Sequence, residues 1–341
     1  MPIDIAWLDQ VQEQIIDPER RIIDPHHHLW DNPSIGKLPA GRYLLDELLA
    51  DIGAGHNVVA TVFVECASFY RADGPEHLKP VGETEFVNGV AAMTASGFYG
   101  PVRACAGIVG LADLNLGAGV GEVLDAHVAA APARFRGIRH AAGWDASEDV
   151  RNSHTNPHPG MLGDAIFREG FAELAKRNLS FEAWCYHTQI RDVIELARAF
   201  PDTTIVADHF LGPVGVGPYE GLREEIFEAW KGDFAELASC ENVVAKLGGL
   251  NMAINGFGWH KQGKPPTAME LVQATGDWYA HAIDCFGPDR CMFESNFPVD
   301  KVSVSYPVLW NAFKLIASAY TEAERDSLFH DTAKRVYRLD I

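Results

Sequence analysis

Eight short apolar runs, separated by stretches of helical spacing, constrain the fold of this chain more than any other feature. The runs lie at positions 22–25, 58–65, 103–109, 135–139, 180–184, 203–207, 242–247 and 290–293. They are continuous rather than alternating, the pattern of parallel strands whose outer face is covered by helices. Between them, apolar residues recur at helical spacing over 43–52, 83–95, 120–130, 165–177, 190–199, 222–237 and 269–286, with a further stretch at 308–319. Thr321, followed three residues later by Glu324, marks the start of a last helix by its capping-box spacing. Eight β-α units predict an α/β chain folded as a (β/α)8 TIM barrel, with a doubly wound open sheet as the alternative. No G-x-G-x-x-G follows the first run, which weakens a dinucleotide-binding version of that alternative. The 341 residues would make two average domains, yet a barrel often uses about 250 or more on one core. No linker, charge block or repeat marks a boundary, so one domain is expected over 1–341, with an N-terminal extension at 1–20 and a C-terminal helix within 321–341.

Charge narrows the partners. With 28 Lys and Arg against 47 Asp and Glu, the formal net charge is −19. Nucleic-acid binding needs a concentrated basic face, so that class is excluded. A small-molecule substrate is expected, and an anionic one remains compatible with a locally positive pocket. The six cysteines are scattered without a C-x-x-C pair and read as reduced core residues of a cytoplasmic protein. The first residues carry acids where a signal peptide has bases, and the densest apolar run, 58–64, is far short of a bilayer span, so no membrane association is expected. Amphipathic barrel helices leave a homo-oligomer open.

Chemistry concentrates at the strand ends. The first run ends in Asp24-Pro25-His26-His27-His28-Leu29-Trp30. Alternation along a strand puts Asp24, His26 and His28 on one face and turns His27 away. Two imidazoles spaced this way can converge on one metal ion or one substrate oxygen; the plainer reading is a His-rich turn stacked on Trp30. His187 ends the fifth run and His209 the sixth, where a Gly/Pro-rich loop follows at 212–218, and a second such loop lies at 256–266. Either histidine taken alone reads equally well as a core residue. Arg139 and His140 close the fourth run, and Lys246 sits inside the seventh. A lysine in an apolar strand is costly unless it meets a partner or a ligand, so Lys246 is expected to pair with Glu294 or to face a substrate carboxylate. Arg139 is expected to grip a carboxylate with two hydrogen bonds. Tyr186, Trp259 and His260 are candidate pocket residues, with core packing as the competing account of the first two.

The segments IIDPHHHLW, FEAWCYHTQI, AFPDTTIVADHFLGP, NVVAKLGGL and RCMFESNFPVD together resemble the amidohydrolase superfamily, and within it the lactonase-type branch that includes pyrone-dicarboxylate and sugar-acid lactonases. The resemblance spans about 21–339. It implies a distorted (β/α)8 barrel, a hydrolase, and a divalent metal site, zinc first, or a metal-free variant of that site. His26, His28 and His209 match the family's histidines and are the candidate catalytic and metal-ligating set. The departure is on strand eight, where Asn296 stands at the position of the family's water-activating aspartate. An asparagine cannot take up a proton at neutral pH and is a poor metal ligand. Asp300, four residues on, is the candidate replacement base; otherwise a histidine takes the role and Asn296 orients water or an oxyanion. Glu65, Glu294 and Asp24 are candidate carboxylates for a metal, against a buried ion pair with a barrel cation as the plainer reading of Glu294. The leading expectation is the opening of a lactone or related ester by activated water. A metal-dependent decarboxylase or amide hydrolase is the alternative, and a non-catalytic binder that has lost its base stands behind both.

Overall fold

A computed structural model describes residues 3–31 and 41–341. Eight strands, β1 (Arg21–His27), β2 (Asn57–Val64), β3 (Arg103–Gly110), β4 (Phe135–Arg139), β5 (Ser180–Ala183), β6 (Ile205–Ala207), β7 (Val243–Leu247) and β8 (Cys291–Phe293), pair in parallel in chain order. Each is followed by a covering helix: α1 (Leu45–Ile52), α2 (Val81–Ala95), α3 (Val120–Ala130), α4 (Ala165–Ala175), α5 (Ile190–Ala199), α6 (Arg223–Ala238), α7 (Ala268–Phe286) and α8 (Tyr306–Ile316). The chain is a (β/α)8 barrel. The expected strands and helices match these within a few residues. The sixth strand is shorter than its apolar run, beginning at Ile205 rather than Thr203, and the chain turns out of extended geometry at Asp208.

Strand side chains divide between two shells. Outward residues such as Ile22, Phe63, Ile108 and Phe181 pack against the helices. Inward residues including Ile23, Val62, Val206, Val244 and Met292 fill the barrel axis, which Ala333, Val336, Tyr337 and Leu339 close from the N-terminal end of the strands. Each such side chain fully buried contributes about 1.5–3 kcal/mol relative to exposure. Tyr337 carries a polar tip into this interior, its hydroxyl donating to Glu182 Oε1 at 2.7 Å. The region expected as one C-terminal helix is a short helix at Glu322–Asp326, a π-helical turn at Ser327–Asp331 and a second short helix at Thr332–Val336, and Thr321 forms the capping box with Glu324.

Closure of the barrel is irregular. β8 has three residues, and the seam to β1 is made just beyond it: Asn296 N–H donates to His26 O at 3.0 Å and His28 N–H to Phe297 O at 2.8 Å. The N-terminal segment packs on α8, where Asn311 accepts from Ile16 N–H and Lys314 donates to the Ile16 and Asp17 carbonyls. All six cysteines are unpaired. Among the described residues, no helix is long and apolar enough to cross a membrane.

Candidate active site

At the C-terminal ends of the strands lies a cavity of about 440 Å³. His28, Arg139, His209 and Asn296 line its floor. His26 lies beneath them, fully buried, its ring 4.9 Å from that of His28 and 4.5 Å from that of His209, centroid to centroid. Four of the residues singled out from the sequence therefore converge with His26 on one place.

The backbone explains how. The pairing of β1 with β2 slips between Asp24 and His27, so simple alternation fails there. Ile23 points into the barrel axis, and Asp24 does not join the histidine face: its carboxylate accepts from Ser295 N–H at 3.0 Å and from the Tyr306 hydroxyl of α8 at 3.0 Å. Burial pushes the Asp24 carboxyl up to about 6. His27 turns outward to Thr61, as the alternation predicts. After β6, His209, Phe210, Leu211 and Gly212 all have positive φ, between 50° and 58°, and Asn296 has φ 54°. Left-handed backbone is costly for residues with a Cβ, and such strain concentrates where a side chain must be aimed at a site.

Glu294 is the hinge of the arrangement. The ion pair with a barrel cation is not what forms; its carboxylate sits between two imidazoles. Oε1 lies 2.5 Å from His209 Nδ1 and Oε2 lies 2.8 Å from His26 Nδ1. Room for it comes from the Gly248-Gly249 pair that ends β7. A Cβ on Gly248 would stand 2.4 Å from Glu294 Cγ, and one on Gly249, where φ is +72°, would stand 2.5 Å from His209 Nδ1. Neither position tolerates a side chain while Glu294 and His209 stay in place.

Around this trio runs a buried charge network. Lys246 pairs with Glu182 at 2.7 Å rather than with Glu294, lies 3.5 Å from Asp208, and is fully buried without reaching the cavity wall. Burial opposes its charge, but Glu182 and Asp208 outweigh that and raise its pKa. Burial also pushes Asp208 up, yet Lys246 and His209 hold its carboxyl below the ordinary value. Glu182 is raised well above the usual range, by burial first. Arg139 is not free to grip a substrate with two hydrogen bonds, because Nε donates to Glu65 Oε1 at 2.8 Å and Nη2 to the Glu65 carbonyl at 2.6 Å. Its Nη1 lies 3.3 Å from His26 Nε2. Burial works against the charge on Glu65, but His154 and Arg139 hold its carboxyl low.

The histidines differ in state. His28 Nδ1 is 2.8 Å from the Val64 carbonyl, which makes Nδ1 the protonated nitrogen and leaves Nε2 as an acceptor. Burial lowers His28 to about 3 and His26 well below its usual value, so both are neutral at physiological pH. Asp300 does not line the cavity. It stands behind Asn296, one oxygen accepting from Asn296 Nδ2 at 3.0 Å and the other from Asn251 N–H at 3.1 Å, and burial raises it to about 7. A carboxyl whose folded pKa exceeds its unfolded value near 3.8 contributes stability that is complete below pH 4 and lost as pH rises through 7. Asp300→Asn is therefore expected to gain stability relative to the native protein across that window. Denaturant midpoints of both proteins from pH 4 to 8 measure it, and a constant difference would remove the titration from Asp300.

Four further candidates stand outside the cavity wall. His140 accepts from Leu114 N–H and packs on Phe167; His187 accepts from Val214 N–H and meets the Tyr219 ring. Trp259 stacks on Phe257, and His260 lies next to it in the same loop. Tyr186 does line the cavity, its hydroxyl donating to the Arg151 carbonyl. The loop after β4 adds Arg151, Ser153 and His154 to the wall, with His154 Nε2 3.2 Å from Glu65 Oε2. Sequence reasoning missed these three, for an irregular loop carries no periodicity to aim a side chain. Glu182 was detectable: a carboxylate in an apolar strand poses the same problem as Lys246.

One ligand atom each from His26, His209 and Glu294 lies within 4.8 Å of the others, so these three, rather than the three histidines, form the compact donor set among the described residues. Glu294 Oε2 and both oxygens of Asp208 are buried without an aligned hydrogen-bond donor. Two nitrogens and a carboxylate oxygen are donors that zinc accepts at catalytic centres, and the trio fits such an ion.

A family model for amidohydrolases matches residues 23–339. Protein y4mH of Sinorhizobium fredii, described as uncharacterized, is 36% identical over 334 residues, 93% of this chain and 98% of its own length. An L-fucono-1,5-lactonase of Burkholderia multivorans is 28% identical over 207 residues, 60% of this chain and 64% of that protein. Among solved structures, an amidohydrolase from Burkholderia multivorans with bound zinc is similar at a TM-score of 0.70 and 26% identity, covering 93% of this chain and 99% of the other. With a match that runs through the barrel from β1 to the C-terminal cap, the chain belongs to the amidohydrolase family and is a hydrolase.

Proposed function

We propose that the protein opens a lactone or closely related ester of a small molecule, with His209 as the proton-transferring residue. The observation that carries the reading is the 2.5 Å contact between Glu294 Oε1 and His209 Nδ1. A carboxylate on Nδ1 fixes the tautomer and leaves Nε2 with the accepting lone pair, so His209 Nε2 takes a proton from water as the water attacks the carbonyl. The same nitrogen returns the proton to the leaving alkoxide. His28, neutral and with Nε2 accepting, orients the water. Arg139, already held by Glu65, places fixed positive charge beside the developing oxyanion. Asn296, anchored by Asp300, is a positioning group rather than a base. A zinc ion held by His26, His209 and Glu294 would polarise the carbonyl and acidify water in place of the His209–Glu294 proton relay. The lactonase name of the Burkholderia relative supports the choice of substrate class.

The test combines turnover with metal content. Native protein and His209→Asn, purified without chelator, are assayed on a panel of lactones by proton release, and zinc per chain is measured on the same samples. His209→Asn is expected to lower kcat/KM by roughly 10³-fold. Turnover of aryl carboxylic acids with none of lactones would replace the reading by decarboxylation, and tight ligand binding without turnover would replace it by a binder.

A further inference from the structure

Hydrolysis uses the floor of the cavity and leaves its walls unexplained, and those walls are divided. The strands follow one another around the barrel in chain order, so the segments after β5, β6, β7 and β8 form one continuous half of the rim. From that half Trp184, Val216, Met252, Ile254, Val299 and Val302 line the cavity, each half-buried. Trp184, Val216 and Ile254 pack in one apolar cluster, and Gly215 N–H donates to the Ile254 carbonyl at 2.8 Å, tying the β6 and β7 loops together. Beside this half, the loop after β4 lines the cavity with Asp149, Arg151, Asn152, Ser153 and His154, while its Val150 packs into the apolar cluster. A hydroxyl placed on the apolar half would lose its water without gaining a partner, whereas a hydrocarbon group there would remove apolar surface from water on both sides.

We infer that the substrate carries an apolar substituent that docks on the β5–β8 half of the rim, so that the preferred lactone is alkyl- or aryl-substituted rather than a polyhydroxylated sugar lactone. The inference rests on the ring-opening reading and specifies its substrate class. It separates this protein from the sugar lactone in the name of its Burkholderia relative.

Two six-membered lactones test it: δ-decalactone, with a pentyl chain, and D-glucono-1,5-lactone, with hydroxyls around the ring. Proton release is expected to give a kcat/KM roughly 10²-fold higher for δ-decalactone, the order by which apolar pockets discriminate against hydroxylated ligands. Ile254→Asn and Val302→Asn, made separately, are expected to narrow that ratio, chiefly through KM. An equal or reversed preference in the native protein overturns the inference. If neither ring opens, the hydrolytic reading fails, and the wall is tested without turnover by calorimetric binding of 5-hydroxydecanoate and gluconate. Tighter binding of 5-hydroxydecanoate upholds the apolar docking half; equal or weaker binding overturns it.

Discussion

Glu294→Gln is expected to lower kcat by about 10⁴-fold while the barrel remains folded, the scale seen when the carboxylate behind a catalytic imidazole becomes an amide. The carboxylate accepts from His209 at 2.5 Å, and its second oxygen lies 2.8 Å from His26 Nδ1 without an aligned hydrogen bond. An amide of the same shape has one accepting oxygen and one donating nitrogen. An amide nitrogen turned toward His209 would force Nδ1 to present a lone pair where it holds a proton, and one turned toward His26 would put a donor beside that ring. Either outcome costs the site: His209 loses its base, or His26 loses its place under the floor. The substitution also removes the one carboxylate of the compact donor set, so zinc bound by the native protein should fall in the variant. Circular dichroism, kcat and metal content on one preparation check all three. A kcat within a few-fold of native would remove Glu294 from the chemistry.

The second large effect falls on stability. Gly249→Ala is expected to cost about 3 kcal/mol, from overpacking together with a left-handed backbone at a residue with a Cβ. The new methyl would meet His209 Nδ1 at 2.5 Å and Cγ at 2.6 Å, with φ at +72°. Both atoms belong to a ring whose own backbone is left-handed, so relief by rotation would break the Glu294 contact. Activity should therefore fall with stability. Gly263→Ala, where no atom lies within 4 Å, is the control and should be neutral in both. Denaturant midpoints and kcat for the pair decide it; equal midpoints would show that the His209 turn is softer than its packing implies.

Much of the barrel was legible because parallel strands under helices are written as continuous apolar runs. The runs at 135–139 and 242–247 coincide with β4 and β7 to within a residue. Where strands end, that signal ends too. The run through Thr203 does not reveal that four left-handed residues follow β6, because positive φ at His209 and Phe210 has no compositional mark. Asp24 was assigned to the histidine face by alternation, and a slip in strand pairing moved it to α8. His26, His28, His209 and Asn296 could be found because barrel chemistry gathers at strand ends. Glu294 was visible as a carboxylate, but its pairing with two histidines depended on the space left by two glycines on the neighbouring strand. Lys246 was rightly flagged as needing a partner, yet the partner, Glu182, lies on β5, two strands away, at a separation no local spacing reports.

The seam between β8 and β1 joins folding to chemistry. The amides of His28 and Asn296 fasten the barrel shut, and the side chains of those same residues line the cavity. Closing the cylinder and assembling the reactive floor are thus one event, and a chain with an open seam has no floor. Amide hydrogen exchange at His28 and Asn296 becomes a clock for that event, ticking at the rate at which the cylinder unlatches. A ligand seated on the floor should slow both amides together by the same factor.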